Sequence, residues 1–60
     1  MKKLIIQFKD GEKTYWLSNE YNKWIFNPLT NRFCIYDENG RMIAVYRTNS
    51  VESVEERQVE

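Results

Sequence analysis

Apolar and polar residues alternate or cluster in short runs over the first fifty positions, and these runs are rich in β-branched and aromatic side chains. Such runs are typical of β-strands, particularly where turn-forming pairs separate them. Three pairs do so here: Asp10-Gly11, Asn27-Pro28 and Asn39-Gly40. The pattern predicts five strands, at about residues 3–9, 12–18, 21–26, 32–37 and 41–48.

The first hairpin is predicted to turn at Asp10-Gly11, a pair that suits a two-residue type I′ turn. That turn places Lys9 opposite Glu12, where their opposite charges attract. On one side of the ribbon the predicted pairs are Ile6 with Tyr15 and Leu4 with Leu17. The other side is more polar and is expected to carry Trp16 beside Ile5.

The second hairpin is predicted to turn at Asn39-Gly40, the strongest local turn signal in the chain. Its expected register gives two apolar faces. The predicted pairs on one face are Tyr36 with Ile43, Cys34 with Val45 and Arg32 with Arg47, and those on the other are Ile35 with Ala44 and Phe33 with Tyr46. A sheet covered on one side only should alternate apolar with polar residues, so both faces require cover. The first hairpin, the C-terminal segment or a second copy of the chain would provide it, and we expect a homo-oligomer.

Residues 51–60 have a different character, with four glutamates and one arginine. Asn49 or Ser50 is suited to cap a helix in which Val51 and Val54 share a face. Valine is a poor helix former, and a helix this short is marginal in water. The prediction is therefore a β-rich domain at residues 1–50, followed at 51–60 by either a short C-terminal helix or a frayed acidic tail.

Sixty residues correspond to one small domain, expected to be all-β with about five antiparallel strands. A meander and a small SH3-like barrel both fit that number of strands. A chain of this size buries only about 60% of the surface that it exposes when unfolded, so association with a partner would add needed stability.

The sequence offers little for catalysis or metal binding. It has no histidine, and Cys34 is its single cysteine, so an internal disulfide and a Cys/His zinc site are excluded. The acidic residues of the first fifty positions fall in predicted turns, where carboxylates are usually just solvated. We expect no enzyme activity, no catalytic residues and no cofactor.

The opening apolar run ends at Gln7, too early for a signal peptide, and no run approaches the roughly 20 apolar residues of a membrane span. An unpaired cysteine suits a reducing compartment. These features predict a cytoplasmic protein that has no membrane partner.

Nine aromatic residues are more than one thin core is expected to hold. Tryptophan and tyrosine are favoured at interface centres because they bury a large area while few torsions are frozen. The predicted interface residues are Trp16, Trp24, Phe26, Phe33, Ile35 and Tyr46. The alternative, that all the aromatic residues serve core packing, stays open.

The net charge of zero conceals a segregation, because residues 1–50 carry eight basic and five acidic groups while residues 51–60 carry one and four. Arg32 and Arg47 are expected to face each other and to repel unless an anion lies between them. They are the predicted anion-contact residues, and the glutamates of residues 51–60 are the nearest internal anions.

Two functions follow from these features. The first is a small non-enzymatic binding or regulatory protein that acts through a protein–protein interface, by self-association or by inhibiting a larger partner. Chains of this size and composition are frequent among accessory proteins of bacteriophages, which often bind a host protein. The alternative is a module that binds single-stranded nucleic acid through aromatic and basic strand residues.

Overall fold

The computed structural model of the chain describes residues 1–59 and contains six antiparallel strands with one short 3₁₀ helix, at Thr48–Ser50. The strands are β1 (Lys2–Phe8), β2 (Lys13–Leu17), β3 (Lys23–Asn27), β4 (Arg32–Tyr36), β5 (Met42–Tyr46) and β6 (Val51–Gln58). The predicted all-β antiparallel class is confirmed, and the five predicted strands are present with ends shifted by one or two residues.

The strands form two three-stranded sheets that pack face to face. The first sheet has the order β2-β1-β6, and the second is a meander with the order β3-β4-β5. Leu4 and Ile6 of β1 and Phe33 and Ile35 of β4 are fully buried in one shared core. The molecule is only 13 Å across its thinnest direction, in keeping with two sheets about 10 Å apart.

Residues 51–58 form the third strand of the first sheet, so the prediction of a helix or a frayed tail there is wrong. Val51 and Val54 are three positions apart, a spacing that suits one face of a helix. The β1–β6 ladder shifts register between Gln7 and Phe8, where Phe8 pairs with Val51 and Gln7 with Ser53. This irregularity allows both valines to face the core from a strand.

The register predicted for the first hairpin is wrong by one residue. Leu4 pairs with Trp16 and Ile6 with Thr14, because the loop has three residues instead of two. Gly11 takes a positive φ of 93°, and its N–H donates to the Phe8 carbonyl at 3.0 Å. A type I′ turn would also require a positive φ at Asp10, which does not have one. The geometry is that of a type I turn with a following glycine in the left-handed region.

The second hairpin keeps its predicted register over most of its length. The pairs Phe33–Tyr46, Cys34–Val45 and Ile35–Ala44 are confirmed. Close to the turn an irregularity shifts the ladder so that Tyr36 pairs with Met42, and the predicted pair of Tyr36 with Ile43 is wrong.

Candidate functional site

The six predicted interface residues all belong to the inner side of the sandwich. Phe33 and Ile35 are fully buried by the first sheet. Trp16, Trp24 and Tyr46 are half-buried and pack against the same core. Because the hairpin register differs by one, Trp16 faces the core with Leu4, and its predicted place on the outer side is wrong. Phe26 keeps 43% of its side chain exposed, at the border of the core.

The aromatic side chains cluster around Phe33. The centroid of its ring lies 5.5 Å from that of Trp24, 5.8 Å from that of Phe26 and 6.2 Å from that of Tyr46. These distances and the tilted ring planes are typical of stabilising aromatic pairs. Four rings of the second sheet, Trp24, Phe26, Phe33 and Tyr46, therefore serve core packing. The alternative that every aromatic residue does so is wrong, because Tyr15 and Tyr36 face outward.

Glu56 joins the two sheets at the edge of this core. The Tyr21 hydroxyl donates to Glu56 Oε1 at 3.1 Å, and Trp24 Nε1 donates to the same oxygen at 3.0 Å. Burial, followed by the hydrogen bond and the negative charge of Glu56, raises the pKa of Tyr21 to about 12. A carboxylate that accepts two such bonds ties β6 to β3 across the sandwich.

The outer face of the second sheet is apolar and uncovered. Side chains alternate along a strand, so the inward Phe33 and Ile35 leave Cys34 and Tyr36 pointing outward. Their ladder partners complete what we call the outer patch, which consists of Ile25, Cys34, Tyr36, Met42 and Val45. Ile25, Met42 and Val45 are 45%, 48% and 53% exposed, while Cys34 is nearly buried at the centre.

The outer face of the first sheet is mostly polar, by contrast, and its apolar members are Ile5, Tyr15 and Leu17. Lys3 Nζ lies 4.1 Å from the centroid of the Tyr15 ring and shields it. Arg57 Nε donates to Glu55 Oε1 at 2.6 Å on the same side. Of the two faces that meet solvent, only that of the second sheet is dominated by apolar side chains.

Basic residues border the outer patch. Lys23 Nζ lies 5.5 Å from the centroid of the Tyr36 ring at one end. Arg32 and Arg47 line a recess of about 460 Å³ at the other end, together with Thr30, Asn31, Val45 and Tyr46. Among residues 1–59 the one ion pair joins Arg57 to Glu55, so neither arginine of the recess has an acidic partner there. The glutamates of β6, which the sequence offered as the nearest internal anions, lie in the other sheet and form no ion pair with either arginine.

Strand β5 is an edge strand that carries no charged residue. Its sequence, Met-Ile-Ala-Val-Tyr, pairs with β4 on one side only in the described chain. Exposed edge strands usually carry charges or proline, which prevent another strand from pairing with them. The edge of β5 is thus open to strand addition directly beside the outer patch.

The aliphatic members of the outer patch, Ile25, Met42 and Val45, were missed as site residues in the sequence. The doubly apolar second hairpin was the available signal. Its more aromatic face makes the core, since large rings fill the space between two sheets, and the aliphatic face is left outside.

Across residues 1–59 there is no group of three or more His, Cys, Asp or Glu side chains placed to hold a metal ion. The helical part of the same range is limited to a three-residue 3₁₀ turn, far short of what a membrane-crossing helix requires. Comparisons with protein-family models, with curated proteins and with solved structures give no match to this chain.

Proposed function

We propose that this chain is a non-enzymatic protein-binding module whose interface is the outer patch. The observation that supports it most is the contrast between its two outer faces, one polar and one apolar. A small domain stabilises itself by burying apolar surface, and Ile25, Met42 and Val45 leave about half of theirs in water. Protein surfaces rich in such side chains and bordered by basic groups are typical of interfaces.

The size of the outer patch indicates what kind of partner fits it. Three strands of five residues give a footprint of roughly 240 Å², from the usual spacings between strands and between residues. A stable complex buries about 800 Å² on each partner. The partner must therefore extend beyond the outer patch, over the bordering cations and the open edge of β5. A larger protein meets this requirement better than a second copy that packs face to face.

Binding of single-stranded nucleic acid is the second candidate, and it has less support. Such binding combines a basic groove with aromatic rings on which bases stack. Within residues 1–59, Tyr36 is the one aromatic ring of the outer patch, whereas both tryptophans pack against the core. Three basic residues at the border are few for a phosphate-binding track.

The proposal is tested by Val45→Glu, with Tyr15→Glu as its matched control. Val45 is the fourth and Tyr15 the third residue of a five-residue edge strand, and they are 53% and 51% exposed. Each variant thus adds one negative charge at a similar apolar position, but on opposite outer faces. Wild type and variants are used as baits in native extract with and without nuclease, and the protein captured after nuclease treatment is then purified and titrated against all three.

Val45→Glu should weaken binding of the purified partner at least tenfold, while Tyr15→Glu should leave it within about twofold, since only the first places a charge in an apolar interface. Equal binding by all three proteins contradicts the proposal. Capture that disappears with nuclease supports the nucleic-acid function in its place.

A further inference from the structure

We infer that the recess between Arg32 and Arg47 is a carboxylate site, and that the partner enters as an extended strand beside β5 with an acidic residue placed in that recess. This inference rests on the proposed function and specifies the chemistry of the partner. It follows from three observations: two unpaired arginines, an apolar wall shared with the outer patch, and an open strand edge.

The recess concentrates hydrogen-bond donors that have no acceptor within residues 1–59. Arg32 lines it from the first position of β4 and Arg47 from the position that follows β5, and like charges on neighbouring extended segments repel unless an anion lies between them. Asn31 Oδ1 accepts from Thr48 Oγ1 at 2.7 Å and from the Asn49 N–H at 3.1 Å. These bonds fix the Asn31 amide and leave its Nδ2 group as the available donor.

A protein carboxylate suits this site better than a nucleic-acid phosphate does. A guanidinium group binds either anion through two parallel hydrogen bonds, so the surface next to the arginines decides between them. Val45 belongs both to the recess and to the outer patch, so the group beside the bound anion meets an apolar surface. A side chain next to a carboxylate satisfies that condition, whereas a phosphate in a polynucleotide has further phosphates on either side.

The geometry of β5 gives the order of residues in the partner. Residues two apart along a strand point to the same side and are about 6.7 Å apart. Arg47 and Val45 have this separation, so a strand paired with the open edge of β5 would place an acidic side chain near Arg47 and an apolar one near Val45. For an antiparallel partner strand, which runs from the Arg47 end to the Val45 end, the expected motif is an acidic residue, any residue, then an apolar residue, bound by strand addition. A parallel strand would carry the same residues in the reverse order.

The inference is tested by selecting displayed random peptides of about twelve residues on the full chain. The best binder is then synthesised in its acidic form and with each acidic residue changed to its amide. Both peptides are titrated against wild type, Arg32→Gln/Arg47→Gln and the control Lys9→Gln/Lys13→Gln. The control removes two exposed cations from the first hairpin and leaves the recess intact.

The acidic peptide should carry the motif, and the amide form should bind wild type roughly tenfold more weakly, as expected for loss of a charge-assisted pair. Arg32→Gln/Arg47→Gln should bind the acidic peptide roughly tenfold more weakly than wild type does. It should bind the acidic and the amide forms of the peptide with similar affinity. The lysine variant should behave as wild type.

Several outcomes would overturn the inference. Selected peptides that lack acidic residues but lose binding with Val45→Glu contradict the carboxylate site and leave the proposed function standing. Selected peptides whose affinity is unchanged by Val45→Glu contradict both the carboxylate site and the proposed function. A twenty-residue oligothymidylate serves as the phosphate probe. If it binds wild type as tightly as the acidic peptide does, and if its binding depends equally on the two arginines, the recess is a phosphate site and the carboxylate assignment is wrong.

Discussion

Trp16 lies against the core from the edge strand β2, and among residues 1–59 its Nε1 group is buried without a hydrogen-bond partner. A buried donor without a partner is unfavourable, so the indole is held there by the packing of its ring. The benefit of burying this ring therefore exceeds the cost of one unsatisfied N–H.

Replacing Trp16 with alanine is expected to destabilise the domain by about 3 kcal/mol, because it removes a large side chain from the core. A domain of this size has a total stability of roughly 3–5 kcal/mol, so the variant should retain at most about 2 kcal/mol. Tyr15→Ala, on the neighbouring exposed position, should cost less than about 1 kcal/mol. Urea unfolding followed by circular dichroism measures both, and a Trp16→Ala protein that loses no more stability than Tyr15→Ala would contradict the core role.

The Tyr21 hydroxyl makes stability depend on pH in the alkaline range. Its pKa is raised from 10.0 to about 12 in the folded protein, so the folded state holds this proton more tightly than the unfolded state does. The associated stability is complete below pH 10 and is lost as the pH rises toward 12. Tyr21→Phe should show a smaller loss of stability between these two values. Equal pH dependence of wild type and variant in urea unfolding would contradict this assignment.

At the scale of elements, two of the three hairpin turns depend on glycines with positive φ, 93° at Gly11 and 79° at Gly40. Gly40→Ala is expected to cost about 1 kcal/mol, since alanine disfavours that conformation. The added methyl group itself would meet no atom within 4 Å, so the cost comes from the backbone alone. Asn39 has no positive φ, and Asn39→Ala should therefore change stability by less than about 0.5 kcal/mol. A larger effect at Asn39 than at Gly40 in thermal unfolding would favour a type I′ turn.

Strand β6 is an integral part of the sandwich. Deletion of residues 51–60 removes the buried Val51 and the Glu56 link, and exposes the edge of the central strand β1. The truncated chain should be unfolded, as judged by loss of dispersion in its amide NMR spectrum. Glu52→Gln/Glu55→Gln removes two charges from exposed positions of the same strand and should remain folded. A folded truncated chain would show that this segment is dispensable.

Strand positions could be predicted from the sequence, because apolar runs and turn glycines are local signals. The register of the first hairpin could not be, since Asp10-Gly11 is compatible with loops of two and of three residues. One residue of difference moved Trp16 from the outer face to the core. Strand β6 was missed because the spacing of Val51 and Val54 suits a helix equally well, and only pairing with the distant β1 decides between them.

At the scale of the whole molecule, the identity of the open face depends on which side of the second sheet the first sheet covers. The sequence showed that both faces of the second hairpin are apolar, but the choice between them is a long-range packing decision. Arg32 and Arg47 were placed at the same end of that hairpin from the sequence, and they do line one recess. The sequence could not predict which face of the second hairpin the first sheet covers. The members of the outer patch were therefore known only from the fold.

The outer patch also predicts the behaviour of the purified chain. A second copy is a partner that is always present, and its small footprint should give weak association that grows with concentration. Light scattering should show an average mass that rises above 7.3 kDa toward millimolar protein, less so for Val45→Glu than for Tyr15→Glu. A constant mass of one chain at every concentration would remove self-association from the expected properties.

The first and the last described residues lie side by side, because the Val59 N–H donates to the Met1 carbonyl at 2.8 Å. A short peptide bridge between these positions would close the backbone into a ring without displacing a strand. New termini would fit at Leu29, which is 95% exposed in the loop between β3 and β4. The same two-layer architecture is thus open to circular permutation, which would begin the chain at β4 and finish it at β3.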